Sequence, residues 1–198
     1  LIKIIDHFHE KLKDDQDISI ISASFGFKVQ TNVTCPKCSY ISKPDHMYYQ
    51  LSLPIPMSPT ELTLEILFHR FFSCDTLDDE NLYSCDGCKQ QVNASTHLLP
   101  ISYPRILITH LKRFTNVGKK ITTLIKFPLD KLEFGLYTYQ LYAVVNHTGS
   151  CGGGHYYAFC RNPNLKWYVF NDASVSEIPT SAIVSPNAYI LFYRRQGL

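Results

Sequence analysis

The sequence predicts an α+β protein in which one helix, a metal-bearing finger and a second helix precede a long antiparallel sheet. Three observations carry this. Apolar residues recur at helical spacing around residues 1–13 and 61–72. From Pro104 onward, aromatic and β-branched runs alternate with Gly, Asn or Pro. Two Cys-x-x-Cys pairs, Cys35 with Cys38 and Cys85 with Cys88, lie on either side of the second helical stretch.

Each element has a local reason. Ile4, Ile5, Phe8 and Leu12 follow close to helical spacing, which predicts a short amphipathic helix ending near Asp14 and Asp15. Phe25, Phe27 and Val29 alternate, so residues 25–34 read as a strand feeding the first cysteine pair. Residues 48–55 read as another strand, stopped by Pro54 and Pro56. Ser58 and Glu61 have capping-box spacing, and Leu64, Leu67, Phe68 and Phe71 then follow at i, i+3, i+4 and i+7. In 106–113, His110 and Lys112 alternate with Leu107, Thr109, Leu111 and Arg113, the pattern of a half-buried strand. Further strands are predicted at 121–127, 139–146, 155–161, 167–171 and 188–194. No internal repeat or low-complexity linker interrupts the chain.

Composition narrows the function classes. A chain of 198 residues suits one domain, with room for a smaller lobe. Hydrophobic residues at 45% and charged residues at 18% permit a packed core. A net charge of +2 is too mild to argue for nucleic acid or an anionic membrane. No apolar run approaches the roughly 18 residues of a membrane span. The N-terminus lacks an initiator Met and signal-peptide organisation, so a piece of something longer is expected. Seven cysteines, four of them paired by spacing, fit a reducing compartment and a metal better than a disulfide scaffold.

The two pairs can close into one tetrahedral four-thiolate site, with Pro36 stiffening the first turn and Gly87 expected to supply a permissive φ in the second. Four protein ligands leave no open coordination position, so the expected zinc is structural. Few basic residues flank the pairs (Lys37, Lys43, Lys89), which argues against a zinc ribbon that binds nucleic acid.

The segment with most chemistry is Gly152-Gly153-Gly154-His155, followed 16 positions later by Asn171 and Asp172. Glycines permit φ > 0 and leave space for a substrate backbone. If 155–161 and 167–171 pair as a hairpin, His155 and the Asn171-Asp172 pair meet at one sheet end. An Asn amide oxygen or an Asp carboxylate then accepts the proton of one imidazole nitrogen, and the other nitrogen faces a nucleophile. No local cysteine suits that part. Cys151 lies in a glycine loop without a helix N-terminus, Cys160 alternates within an apolar strand, and Cys74 precedes the acidic residues Asp75, Asp78, Asp79 and Glu80.

Taken together, "NVTCPKCSYIS", "YYQLSLPIP", "YSCDGCK", "PRILITHLKRF", "IKFPL", "YAVVNHTGSCGGGHYYAFCRN", "WYVFNDASVSEI" and "AYILFYRR" make the chain resemble the ubiquitin-specific proteases, papain-like deubiquitinating cysteine proteases. The resemblance implies fingers, palm and thumb, with ubiquitin or polyubiquitin gripped by fingers and palm. The ubiquitin tail would lie in a cleft between palm and thumb. It implies His155 as catalytic base, Asn171 as third triad member, Asp172 as a helper and His147 as a loop-shaping residue. Cys35, Cys38, Cys85 and Cys88 match the zinc ligands of the fingers. Residues 1–20 match the end of the thumb, 21–103 mainly fingers and 104–198 mainly palm. The family's nucleophile box, Gly-x-x-N-x-x-N-x-C-Y/F, is not among these residues, so the nucleophile is expected outside this chain. A thumbless, non-catalytic ubiquitin-binding scaffold is the alternative. A reducing cytoplasmic or nuclear address is expected, with no nucleic-acid or membrane partner.

Overall fold

The computed structural model describes residues 1–57, 61–77 and 81–197. Two short helices open the chain. α1 (Ile2–Leu12) buries Ile5 and His9. Of the four apolar positions that set its pattern (Ile4, Ile5, Phe8 and Leu12), Ile4, Phe8 and Leu12 are exposed. The amphipathic pattern is therefore present but only partly used for packing within the described residues. α2 (Ile20–Phe25) starts at a capping box in which Ser19 and Ser22 satisfy each other's backbone N–H groups. Its last residue, Phe25, is where alternation placed the start of a strand, which instead begins at Phe27.

Strand β1 (Phe27–Thr34) is the spine of a five-stranded antiparallel sheet. It pairs with β2 (Asp45–Tyr48) and with β4 (Ser95–Pro100), the latter absent from the sequence-based expectation. The stretch expected as one strand, 48–55, is split. Asp45–Tyr48 stays in this sheet, whereas β3 (Leu51–Pro54) crosses into a second, eight-stranded sheet and runs parallel to β5 (Ile106–Lys112) up to Pro54. α3 (Leu64–Phe72) buries Leu64, Leu67 and Phe68. Its N-cap is Thr63, whose Oγ1 accepts from the Ile66 N–H; Ser58 lies outside the described residues. Glu61 instead forms an ion pair with Lys126.

The eight-stranded sheet also contains β6 (Tyr137–Ser150), β7 (Gly153–Arg161), β8 (Trp167–Asn171), β9 (Ser174–Ile178) and β10 (Ala188–Arg195). The order is β9-β8-β7-β6-β10-β5-β3, with Leu132–Phe134 added beside β6. Only Ile125–Lys126 of the expected strand 121–127 pairs, with Leu62–Thr63. Its first half is instead held by Arg113, whose Nη1 donates to the carbonyls of Ile121 and Thr123.

One core joins these layers. It includes Phe27, Leu51, Leu67, Leu107, Leu141, Val144, Trp167 and Tyr193. A separate small cluster of Val33, Cys35, Cys85, Val92 and Ala94 sits at the end of the first sheet. So few apolar side chains supply little burial, so that end needs another source of stability.

Candidate active site and metal centre

β6 and β7 form a long hairpin that pairs Thr148 with His155 and Gly149 with Gly154. β7 and β8 are also antiparallel, and their ladder reaches Ala158 opposite Phe170. One more step places Asn171 across from Tyr157, on the face that His155 shares two residues along. The expected hairpin thus brings the two residues together. His155 Nε2 and Asn171 Oδ1 are 2.5 Å apart. An amide oxygen can only accept, so in the neutral ring Nε2 carries the proton and Nδ1 the lone pair. An imidazole held in that tautomer can take a proton at Nδ1 from a group placed there.

Asp172 is less engaged. Its carboxylate lies 3.9 Å from His155 Nε2, and its side chain is largely exposed. Its backbone is left-handed, φ 49°, at the turn between β8 and β9, a conformation that Asp tolerates better than most residues. The residue therefore has a backbone reason to be present as well as its position beside the ring.

The three glycines before His155 do not use positive φ; that conformation falls on Gly149, φ 94°, on the opposite arm of the hairpin. Gly154 is glycine for space, since a Cβ there would lie 2.2 Å from His147 Nε2. Gly152 and Gly153 have no atom within 4 Å of such a Cβ and border open space. No cysteine hydrogen-bonds to the His155 ring among the described residues. Cys151 and Cys74 are exposed, and burial raises the pKa of the Cys160 thiol.

Two adjoining depressions lie beside α1. A depression of about 510 Å³ between α1 and the base of the first sheet is lined by Ile2, Met47, Tyr48, Gln50 and Lys112. It shares Ile2 and Gln50 with a second depression of about 350 Å³, bounded by His110, Tyr156 and Tyr189. Sequence reading missed His110 and Tyr189 because a strand pattern does not say which face meets a groove.

His110 lines this depression, and His147 is buried against its Tyr156 and Tyr189. The His110 and Tyr189 rings are 4.8 Å apart, and those of His147 and Tyr156 are 4.6 Å apart. Burial first, then Lys112 for His110 and Lys120 for His147, holds both imidazoles below the usual 6.5. Unfolded, each takes up its proton near pH 6.5; folded, only at lower pH. The unfolded state binds more protons in that interval, so stability is present above pH 6.5 and lost as pH falls below it. Melting temperatures recorded from pH 8 to pH 5 should decline on the acid side, and His147→Gln should flatten the decline. A pH-independent melting temperature would contradict this.

The four cysteines converge at the far end of the first sheet. Cys35 Sγ lies 3.9 Å from Cys88 Sγ, Cys38 Sγ lies 3.6 Å from Cys85 Sγ, and all four sulfurs fall within 4.8 Å of one another. Four sulfurs at about 2.3 Å from a tetrahedral ion would be separated by about 3.8 Å. The spacing therefore fits a metal ion and is far too long for disulfides. The two loops are built alike. Cys35 N–H donates to Tyr40 O and Ser39 N–H to Cys35 O; Cys85 N–H donates to Gln90 O and Lys89 N–H to Cys85 O. Positive φ falls on Ser39 and Lys89, not on Gly87. Gly87 is required for room, because a Cβ would meet Tyr40 Cβ at 2.8 Å.

The sulfurs interact strongly. Burial works against ionisation of Cys35, yet the Cys38 and Lys37 N–H groups and neighbouring sulfurs outweigh it and lower its pKa to about 7. At Cys38 the Tyr40 N–H favours the thiolate, but burial and the other three sulfurs push the pKa up to about 11. Four thiolates so close together need a cation to coexist.

Two large sheets, an imidazole–amide pair and a four-sulfur cluster define a papain-like α+β fold with a fingers subdomain. Residues 1–193 match the family model described as ubiquitin carboxyl-terminal hydrolase, and the chain belongs to that family. It is 34% identical over 192 residues to ubiquitin carboxyl-terminal hydrolase 2 of Gallus gallus, covering 90% of this chain and 54% of that protein. It is 34% identical over 193 residues to ubiquitin carboxyl-terminal hydrolase 21 of Homo sapiens, covering 90% of this chain and 34% of that protein. The SAGA DUB module of Ubp8, Sgf11, Sus1 and Sgf73 bound to monoubiquitin superposes with a TM-score of 0.81 at 27% identity, over 100% of this chain and 47% of that chain. The same module bound to ubiquitin aldehyde gives 0.79 at 25% identity, over 100% of this chain and 48% of that chain. The chain thus spans roughly a third to a half of these curated relatives.

Proposed function

We propose that this chain forms the palm and fingers of a deubiquitinating cysteine protease, with the nucleophilic cysteine supplied by residues outside it. The 2.5 Å contact between His155 and Asn171 carries the reading. In this mechanism, Nδ1 of His155 removes the thiol proton, giving a thiolate and an imidazolium. The thiolate attacks the carbonyl carbon of the C-terminal glycine of ubiquitin. The imidazolium then protonates the departing lysine amine as the isopeptide bond breaks. Water, deprotonated by the same imidazole, attacks the thioester and releases the ubiquitin carboxylate and the thiol. The Asn171 oxygen keeps the ring in the useful tautomer throughout.

The remaining surfaces suit that substrate. Ubiquitin or polyubiquitin would rest on the fingers and palm, with the extended tail in the groove that ends at Tyr156. The open space at Gly152 and Gly153 leaves room for a narrow chain. Zinc would be held by Cys35, Cys38, Cys85 and Cys88. It supplies a cross-link between the two finger loops and takes no part in the reaction.

The test is a pair of variants in a protein that joins this chain to its nucleophile. Asn171→Ala should lower kcat for ubiquitin–fluorophore cleavage about 10²–10⁴-fold, the range of an oriented acid–base group. Asp172→Ala should cost much less, because its carboxylate is farther from the ring and largely exposed. Equal activity of Asn171→Ala and wild type would overturn the assignment. Ubiquitin binding with neither cleavage nor reaction with a ubiquitin electrophile would favour a non-catalytic scaffold instead.

A further inference from the structure

Asn146 on β6 is fully buried, and neither its Oδ1 nor its Nδ2 bonds to a protein atom among the described residues. Nη2 of Arg113, equally buried, is also without a partner there. Native interiors seldom leave such groups unpaired, and the usual remedy is an internal water making about three hydrogen bonds.

The sheet brings the two side chains over one strand. Arg113 Nε donates to the Ala188 carbonyl at 2.6 Å, and Ala188 is the cross-strand partner of Asn146. Leu107, Thr109 and Leu111 lead to Arg113 on the face that Leu191 and Tyr193 of β10 present. Val144 and Asn146 of β6 lie on the same face. The guanidinium offers only N–H groups, whereas the amide offers both a donor and an acceptor. A ligand that satisfies both must accept and donate. Water does so; a simple anion leaves Oδ1 unpaired.

The same point is a β-bulge. Val145 pairs with Ile190, but Asn146 pairs with Ala188, so Tyr189 is an extra residue on β10. Its ring joins the opposite face, 4.8 Å from His110, 5.8 Å from His147 and 6.0 Å from Tyr156. His110, Tyr156 and Tyr189 bound the smaller of the two depressions, which adjoins α1.

We propose that Arg113 and Asn146 hold an internal water at this bulge, and that the hydrated bulge aims Tyr189 into the groove. Asn146 is then a positioning residue for the groove wall. Only the kinetic part of this proposal rests on the ubiquitin-hydrolase reading.

Two measurements decide it. High-resolution diffraction from the wild-type protein should show a water within hydrogen-bond distance of both Arg113 Nη2 and the Asn146 amide. Asn146→Leu keeps the branched shape and the heavy-atom count of the side chain and removes its polar atoms. It should melt several degrees below wild type and, in a protein that joins this chain to its nucleophile, raise KM for a ubiquitin substrate several-fold, with kcat retained. A water missing from that position, or an Asn146→Leu protein as stable as wild type, overturns the hydration site. A water and a stability loss with unchanged KM overturn the link to Tyr189. The diffraction arm needs no variant, so it decides the site even if Asn146→Leu fails to fold. It also decides the site if the protein has no ubiquitin hydrolase activity.

Discussion

His155→Ala, made in a protein that joins this chain to its nucleophile, is expected to lower kcat/KM for ubiquitin–fluorophore cleavage on the order of 10⁴-fold. The melting temperature should hardly move. The ring is about half exposed, its side-chain hydrogen bond is to Asn171 at the sheet end, and it contributes nothing to the core. A large kinetic loss without a stability loss separates a reacting group from a structural one. His147→Ala would behave differently. His147 is buried against Phe114, Tyr156 and Tyr189, so its loss should lower stability as well. If His155→Ala retained wild-type activity, the proposed mechanism would fall, whatever the fold.

The second large effect concerns the metal. Elemental analysis should find about one zinc per chain, and a strong chelator should lower the melting temperature by ten degrees or more. Structural zinc sites of this kind contribute about 10–16 kcal/mol of apparent binding energy in small zinc-finger peptides. Among the described residues, the buried cluster beside the sulfurs is Val33, Val92 and Ala94 with two of the cysteines, and partly buried Leu77 and Tyr83 pack against it, little apolar surface to hold two loops together without a cross-link. Cys85→Ser should act like the chelator, because Cys85 is buried among the ligands. Hydrogen exchange should rise first in residues 35–42 and 83–92 and leave the eight-stranded sheet protected. A zinc-free protein of equal stability would refute the metal assignment.

Much of the sheet was legible because its signals are local. Strands 106–113, 139–146, 155–161, 167–171 and 188–194 each match an observed strand to within a few residues. Their alternation, aromatic content and Gly or Asn boundaries act over short stretches of chain. The cysteine pairs were legible for the same reason, since each loop is set by residues adjacent in sequence. The misreadings came where a distant partner decided the outcome. Residues 121–124 are held by the Arg113 guanidinium, and the break between Tyr48 and Leu51 follows from a change of sheet. Arg113 read as one strand residue among several, although it is fully buried with its pKa lowered to about 10 by that burial.

By itself, the sequence determined which atoms are available: an imidazole after a glycine run, an Asn-Asp pair one strand later, and four thiols in two short loops. These follow from residue identity and near-neighbour spacing. Only the tertiary structure decided how closely Asn171 and Asp172 approach Nε2, that Gly154 makes way for His147, and that Tyr189 turns into the groove. Those outcomes depend on strand register and on a bulge, where a shift of one residue moves a side chain to the opposite face of the sheet.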